Sequence, residues 1–570
     1  MTTIGATGDI RERRTLRSYV AQGRAAVRRT ATPYRMPLLA GGIGVTVVAS
    51  VLPWAKRGVN FTTDLAGDLS AAGIGGHRLY LLILALLCLI GFTKVDGARR
   101  ALLGLSIGAL VISAYMFYEL LSAGGGLGAV GVGAWLGVVG SLLLLVAADT
   151  TRESPRLVWP ALPMVGDLAV IVVAVGGLLA LLVIGLGIEA ESQFLSFAVA
   201  VGAAIAAASS LGASLALRTA FDRYRLFGYF ICLAAAIAFP FTQDGDATWM
   251  AVFARVGVFA AAAIGLNVVV GLAGLLDLGY IAFFGIGGYV AALLSDAIFT
   301  TVHVHVPFIL VIPLGAMAAG AIGVAFGAPT LRLRGDYLAI VTLGFGEIFR
   351  IVAINYTGLT RGPNGIAGIP DIKLPPWLGG FDFGSPHTLF GVLLPFQSNY
   401  YFLDIVLIAV VMLVFARLND SRIGRGWIAI REDELAARAM GINTVALKLL
   451  AFGIGATLAG GAGTINVHIG EAIEPNAYQF FASALLLSAV VLGGMGTVTG
   501  AVLGAALLIG LPEKLRSFQE WRLFIFGLAL VLLMRFRPEG LIASRRRKLE
   551  FHDPDEGAAG SLGTGLEEPT

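Results

Sequence analysis

Long apolar stretches restrict what this chain can fold into. Several runs, such as 163–187 and 249–272, hold about 18 or more residues, the length a helix needs to cross roughly 30 Å of hydrocarbon. Only 13% of the 570 residues are charged, against about 25% in soluble domains. Because lipid offers no partners for backbone polar groups, such segments must be helical. We predict an all-α, polytopic, multi-pass protein of the cell (inner or plasma) membrane.

Basic clusters orient the predicted spans. We count about 16 apolar runs, about 6 before residue 226 and about 10 after it. Alternating them from an inside start places Arg332, Arg334 and the clusters 422–438 and 535–548 inside, as the positive-inside rule requires. The Pro/Gly-rich stretch 356–401 then falls outside, and both termini are cytoplasmic.

Changes in texture divide the chain into four parts. Residues 1–35 form a basic cytoplasmic tail with eight arginines, which suits contact with membrane lipid. Residues 36–224 form an N-terminal transmembrane extension, and residues 225–545 form a glycine-rich core. Residues 546–570 form an acidic tail that we predict to be disordered.

The segment Ser421–Phe452 is a charged island between strongly apolar runs. Its REDELAARAM stretch predicts a short helix, because acidic residues in the first turn suit the positive end of the helix dipole. Gly441 stands where a left-handed residue would end that helix. We interpret this segment as a docking element for a soluble partner.

Two hydrophobic segments, Gly265–Leu294 and Leu485–Leu508, are interrupted by glycines. Interrupted helices in corresponding halves of a transporter commonly flank its translocation path. Asp277 lies at the middle of the first segment, where a cap at the membrane surface would explain it equally well. Ordinary small-residue packing would likewise explain the glycines. The candidate pathway residues in these segments are Asp277, Gly285, Gly288, Gly493 and Gly494.

Glu347 is a further candidate pathway residue, within an apolar run. Arg350 follows three residues later, so the two side chains can pair on one helix face and share the cost of burial. We expect this pairing to explain the charges better than a transport role. The turn Thr360–Gly365 has the composition of a rigid loop, and its predicted outside position suits an external partner.

Several kinds of chemistry are excluded. None of the six lysines is followed by Ser or Thr, so the chain has no GxxxxGK[ST] nucleotide-binding loop. Cys88 and Cys232 both lie in apolar runs, which argues against disulfide or thiolate metal sites. His303 and His305 fit a solvated pair better than a metal site. We predict no enzymatic activity, no cofactor, no metal and no nucleic-acid partner.

From about residue 225 to 545 the chain resembles a known family. Four ordered blocks carry the resemblance: GLNVVVGLAG with LGYIAFFGIGGYVAALL, LRLRGDYLAIVTLGFGEIFRI with LTRGPNGI, SRIGRGWIAIREDELAARAMGIN, and VVLGGMGTVTGAVLGA with RPEGL. They are similar to the M-type membrane permease of branched-chain amino acid importers of the ATP-binding-cassette (ABC) class. The resemblance does not cover residues 1–224.

The resemblance implies specific partners. They are cytoplasmic ABC ATPase subunits, a second, H-type permease subunit and an extracytoplasmic substrate-binding protein. It identifies the charged island as the ATPase-coupling loop, with contacts at Arg422, Gly424, Arg425, Arg431, Glu432, Asp433, Ala437 and Gly441. The chain departs from the family's GQLSLG-like segment, since GLLDLG puts Asp277 where a Ser is expected.

Alternative functions stay open. Permeases for urea, amides and other small solutes share the same blocks. An ion-coupled secondary transporter would use Asp277 or Glu347 as its proton or cation site and would need no ATPase. A membrane scaffold without transport activity is a third possibility, suggested by the first six spans. Copurification of ATPase subunits separates the importer from the secondary carrier.

Overall fold

The structure is a computed structural model of the 570-residue chain. It describes residues 32–56, 76–93, 95–122, 126–151, 159, 163–243, 246–300, 304–330, 336–389, 391–514, 516, 527–528, 531, 535 and 540–542. Nearly all of the predicted N-terminal tail, the whole C-terminal tail and most of the predicted last span, 521–536, lie outside these residues. The chain divides into two compact units, Met1–Ala236 and Ile237–Thr570.

The fold is all-α, as the apolar pattern predicts. Within the described residues, ten helices are long and apolar enough to cross a membrane. Shorter apolar helices begin at Arg35, His77, Ile281 and Phe480. The protein is therefore a multi-pass membrane protein, and the count of about 16 spans stays a prediction.

Helices make up the described part of the first unit. They are α1 (Arg35–Val51), α2 (His77–Leu87), α3 (Ala98–Leu120), α4 (Val132–Thr150), α5 (Met164–Gly187), α6 (Glu191–Ser210) and α7 (Ala213–Arg223). A 3₁₀ turn, Cys88–Phe92, extends α2, and α8 (Arg225–Thr242) crosses into the second unit.

Small residues bring helices of the first unit close together. Gly140 of α4 lies against Thr46 of α1, and Gly137 lies against the ring of Trp54. The Trp54 ring is fully buried, and its Nε1 donates a 2.8 Å hydrogen bond to Ala49 O. The hydrophobic effect does not drive helices together in lipid. Close packing of this kind is what stabilises their association.

The second unit contains the interrupted segments and the charged island. Its helices are α9 (Ala247–Asn267), α10 (Ile281–Leu294), α11 (Phe308–Thr330), α12 (Asp336–Asn355), α13 (Phe396–Asn419), α14 (Arg422–Glu432), α15 (Glu434–Ala439), α16 (Thr444–Gly470), α17 (Phe480–Gly493) and α18 (Val498–Ala505). Single π-helical turns extend α9 through Val268–Leu272 and α18 through Ala506–Gly510.

Helix α16 is the centre of the second unit. It packs along α9, α10 and α11, and glycines line these contacts. Gly287 of α10 lies against the backbone of Gly460, and Gly315 of α11 lies against Thr464. Tyr280, just before α10, is fully buried and donates a 2.7 Å hydrogen bond to Gly455 O. Through these contacts, the backbones of α9, α10 and α11 approach the backbone of α16 closely.

Short strands cover one end of this unit. Strand β1 (Ile366–Ala367) pairs antiparallel with β4 (Ala472–Ile473), and β2 (His387–Leu389) pairs with β3 (Val392–Leu394). The charged island lies at the other end of α16, because α15 immediately precedes that helix and β4 follows it.

The packing of Gly460 of α16 against α11 can be tested by substitution. A methyl group at Gly460 would fall 2.8 Å from Gly315 O, whereas one at Gly461 would meet Ala316 Cβ at an ordinary 3.7 Å. We expect Gly460→Ala to lower the free energy of unfolding by about 1–3 kcal/mol through overpacking. Gly461→Ala is the matched control and should change it little. Equal unfolding curves for the two variants in detergent would contradict this packing.

Candidate functional site

The charged island folds as two short helices, α14 and α15, which we call the charged helix pair. Ser421 caps α14, because its Oγ accepts a 3.1 Å hydrogen bond from Gly424 N. Asp433 separates the helices and caps α15, accepting from Leu435 N at 2.8 Å and Ala436 N at 3.0 Å. The expected single helix over REDELAARAM therefore breaks at Asp433, whose carboxylate favours a helix start over a helix interior. Gly441 has a φ of 83°, the predicted left-handed conformation.

The charged helix pair is fixed to the first turns of α16. The fully buried Trp427 donates from Nε1 to Leu447 O at 2.7 Å. Glu434 forms ion pairs with Lys448 at 2.8 Å and with Arg438 at 3.1 Å. Because Lys448 is itself buried, this charge needs its carboxylate partner. The pair is thus a rigid part of the fold.

The predicted coupling residues divide between a surface and an interior set. Arg422, Arg425 and Glu432 are exposed. Gly424 and Ala437 are buried, and a side chain on Gly424 would overlap Leu418 O. The interior set shapes the pair, while the exposed set is available to a partner.

Arg431 connects the charged helix pair to the first interrupted segment. Its Nη1 donates a 2.8 Å hydrogen bond to Gly271 O, in the π-helical turn that ends α9. Its aliphatic stem lies against Gly274. This position favours glycine because its φ is 71° and because a side chain there would overlap Arg431. The turn between α9 and α10, Ala273–Tyr280, is named the first break.

A second break, Gly494–Thr497, separates α17 from α18 and is hydrogen-bonded to the end of α9 by the Asn267 side chain. Asn267 is fully buried. Its Nδ2 donates to Thr497 O at 2.9 Å, and its Oδ1 accepts from Gly496 N at 2.8 Å. Buried backbone groups that leave a helix need such partners. The sequence analysis missed Asn267, although an amide inside GLNVVVGLAG is a signal for a buried hydrogen-bonding role.

Asp277 lies inside the first break, and its side chain is buried within the protein. Its Oδ1 accepts from Gly279 N at 2.9 Å, while its Oδ2 has no hydrogen-bond partner among the described residues. The neighbouring Leu278 N donates to Thr342 Oγ1 of α12 at 3.0 Å. The carboxyl group therefore stabilises the turn, as a cap would, but in the interior.

The predicted pair on α12 forms. Arg350 Nε lies 2.6 Å from Glu347 Oε2, and Arg350 Nη1 lies 3.3 Å from Asn476 Oδ1. Both charged side chains are partly exposed, so the pairing accounts for their presence in a span. Any role of Glu347 in the pathway stays a prediction.

The four glycines predicted for the pathway lie in or directly after the helices next to the breaks, and their role in the pathway stays a prediction. Gly285 faces the Phe349 ring, and Gly288 faces Ile473 and Val467. In the second segment, Gly493 lies against Gly500 O, and Gly494 has a φ of 119°. Their small size lets the interrupted helices approach their neighbours.

Asp404 of α13 is a second buried carboxyl in the second unit, and sequence reasoning missed it. Neither of its oxygens has a hydrogen-bond partner among the residues that the structure describes. It lies against α9, where a Cβ on Gly257 would fall 2.7 Å from Asp404 Cβ. A lone Asp early in an apolar run was the available signal.

Residues 248–534 match the family described as "Branched-chain amino acid transport system / permease component". The chain belongs to this family. The match begins within α9 and contains both breaks and the charged helix pair.

Two kinds of named permease are similar to the chain. LivM of Salmonella typhimurium is 40% identical over 331 residues, which cover 56% of this chain and 75% of that protein. LivM of Escherichia coli K12 is 39% identical over the same length and shares. LivH of Salmonella typhimurium is 27% identical over 290 residues, covering 50% of this chain and 91% of its own. No solved structure matches the chain.

The hydrogen bonds of Asn267 to the second break of this permease can be tested by substitution. Asn267→Ala removes both partners of the second break, and each unsatisfied buried group costs about 1–3 kcal/mol. We expect a lower melting temperature in detergent. Asn355→Ala is the matched control, since the Asn355 side chain, at an exposed site, bonds to Ile351 O and to no other described residue. A melting temperature equal to that of the control would contradict the role of Asn267.

Proposed function

We propose that this chain is the membrane-spanning permease subunit of an ATP-driven importer for branched-chain or related amino acids. It would form part of the translocation pathway together with a second, H-type permease subunit. Cytoplasmic ABC ATPase subunits would supply energy, and an extracytoplasmic binding protein would deliver the solute. The absence of a GxxxxGK[ST] motif fits this division, because the nucleotide site would belong to another chain.

The contact from Arg431 to Gly271 is the observation that best supports this function. An importer must transmit movement from its ATPase to the pathway. Here a charged surface helix reaches the broken end of α9 through one 2.8 Å hydrogen bond. Asn267 extends the contact to the second break. Movement of the charged helix pair would thereby reach both interrupted segments.

The exposed surface of the charged helix pair suits a protein partner. Leu435 is 64% exposed and Met440 is 82% exposed, although both are large and apolar. Arg438 and Glu432, also exposed, surround them with charge. An apolar centre with a charged rim is the usual anatomy of a protein interface. We assign this surface to the ATPase.

Prediction for docking. Leu435→Asp combined with Met440→Asp places two carboxylates at the centre of the contact, and desolvating them should abolish ATPase copurification. Leu393→Asp is the matched control, a 63% exposed leucine in strand β3, and it should leave copurification unchanged. ATPase recovery equal to that of the control would contradict docking at this surface.

Prediction for coupling. Arg431→Glu removes the hydrogen bond to Gly271, so solute transport per ATP should fall at least tenfold in reconstituted vesicles. Glu432→Lys reverses an exposed charge and should weaken ATPase binding instead. If the double reversal left both transport and ATPase binding unchanged, the docking and coupling roles would be wrong. Hydrolysis and uptake are measured on the same vesicles.

Copurification of ATPase subunits also distinguishes the importer permease from an ion-coupled secondary transporter. Asp277 Oδ2 and both carboxyl oxygens of Asp404 have no hydrogen-bond partner among the described residues, and this observation favours a proton-linked carrier. Such a carrier would transport solute without ATPase subunits and would respond to a pH gradient. An importer permease would bring down the ATPase and would need ATP.

A further inference from the structure

Arg255 has no role in the function described so far. Arg255 lies in α9, eight residues after Ala247, and is exposed. At 1.5 Å per residue this is about 12 Å from the start of the helix, well inside an apolar span. A cation in the lipid-exposed part of a bilayer is costly, so such residues face a partner or a water-filled cavity.

The opposite side of α9 is closed to Arg255. Gly257, about 200° further around the helix at 3.6 residues per turn, faces Asp404 of α13. The buried carboxyl of Asp404 is therefore on the wrong side to be the counter-ion of Arg255. Asp404 thus leaves the charge of Arg255 open to a negative group in the space that the exposed face of α9 borders.

The same face of α9 leads to an aromatic cluster. Phe259 is one turn further along, at the i, i+4 spacing that puts it beside Arg255. Adjacent ring centroids in the cluster lie 5.5–6.5 Å apart. The cluster consists of Phe259, Phe284, Tyr289, Phe349 and Tyr478.

The aromatic cluster contains an unused polar group. Tyr289 is buried, and its hydroxyl has no hydrogen-bond partner among the described residues. A buried phenol usually finds a partner. A hydroxyl of this kind within an aromatic cluster is a second sign that a small polar molecule binds here.

The cluster is also attached to both breaks. Phe284 lies on α10, which follows the first break, and Tyr478 lies two residues before α17, which leads to the second. Ile281 N, at the start of α10, donates a 3.1 Å hydrogen bond to Ser483 Oγ of α17. A site on the cluster would therefore change shape when the breaks move.

We propose that Arg255 and the aromatic cluster form a solute site in the pathway of this permease. Arg255 binds the carboxylate of an amino acid, since a guanidinium presents paired donors to a carboxylate. The rings of Phe259 and Phe349, which are partly exposed, contact its apolar side chain. This inference rests on the proposed function and adds the chemistry of recognition: an anionic carboxylate with an apolar substituent.

The test uses the complete importer in vesicles, with leucine as the probe. Arg255→Gln removes the charge, Arg255→Lys keeps it, and Arg218→Gln is a control at an exposed arginine of the first unit. Copurification, melting temperature, binding-protein-stimulated ATP hydrolysis and leucine uptake are measured for each. We expect Arg255→Gln to lower uptake per ATP at least tenfold while hydrolysis and assembly stay unchanged. Arg255→Lys should restore part of the uptake.

Other outcomes overturn the inference in distinguishable ways. Wild-type uptake by Arg255→Gln would show that Arg255 does not bind the solute. Loss of the second permease from Arg255→Gln would make it an interface residue. Equally low uptake by Arg255→Lys and Arg255→Gln at unchanged melting temperature would exclude charge recognition. An assembled wild-type importer that hydrolyses ATP without moving leucine or another apolar amino acid would refute the proposed substrate class, and the site with it.

Discussion

Backbone polar groups that leave a helix in the packed interior of a protein need hydrogen-bond partners, and the second unit depends on this constraint. Two glycine-rich breaks interrupt its spans. Asn267, Thr342 and Ser483 supply side-chain atoms to their backbone groups at 2.8–3.1 Å. Buried backbone groups left without such bonds would be costly. The breaks are consequently joined to one another, and neither is an isolated loop.

The charged helix pair is connected to these two breaks. Trp427 and Lys448 fix the pair to α16, while Arg431 contacts the turn that ends α9. A rigid element that contacts a network of backbone hydrogen bonds can pass its movement to that network. In the proposed importer, this path leads from the ATPase surface to the aromatic cluster.

Much of this arrangement could be predicted from local sequence. Apolar length predicted the helices, and the spacing of Glu347 and Arg350 predicted their ion pair. The left-handed Gly441 followed from its position after a helical pattern. By contrast, Asn267 acquires its partners 229 and 230 residues away, and no local periodicity encodes such a contact. The roles of Arg255 and Asp404 likewise depend on which face of α9 is covered, which only the packed helices decide.

Hydrogen–deuterium exchange of the purified importer tests the central connection most directly. The backbone segments to follow are 271–280 and 494–497, compared with and without nucleotide. If the charged helix pair transmits movement through Arg431 and Asn267, exchange in both segments changes together when the ATPase binds ATP. A change confined to residues 422–439, with both breaks unaltered, would contradict the connection between docking surface and pathway.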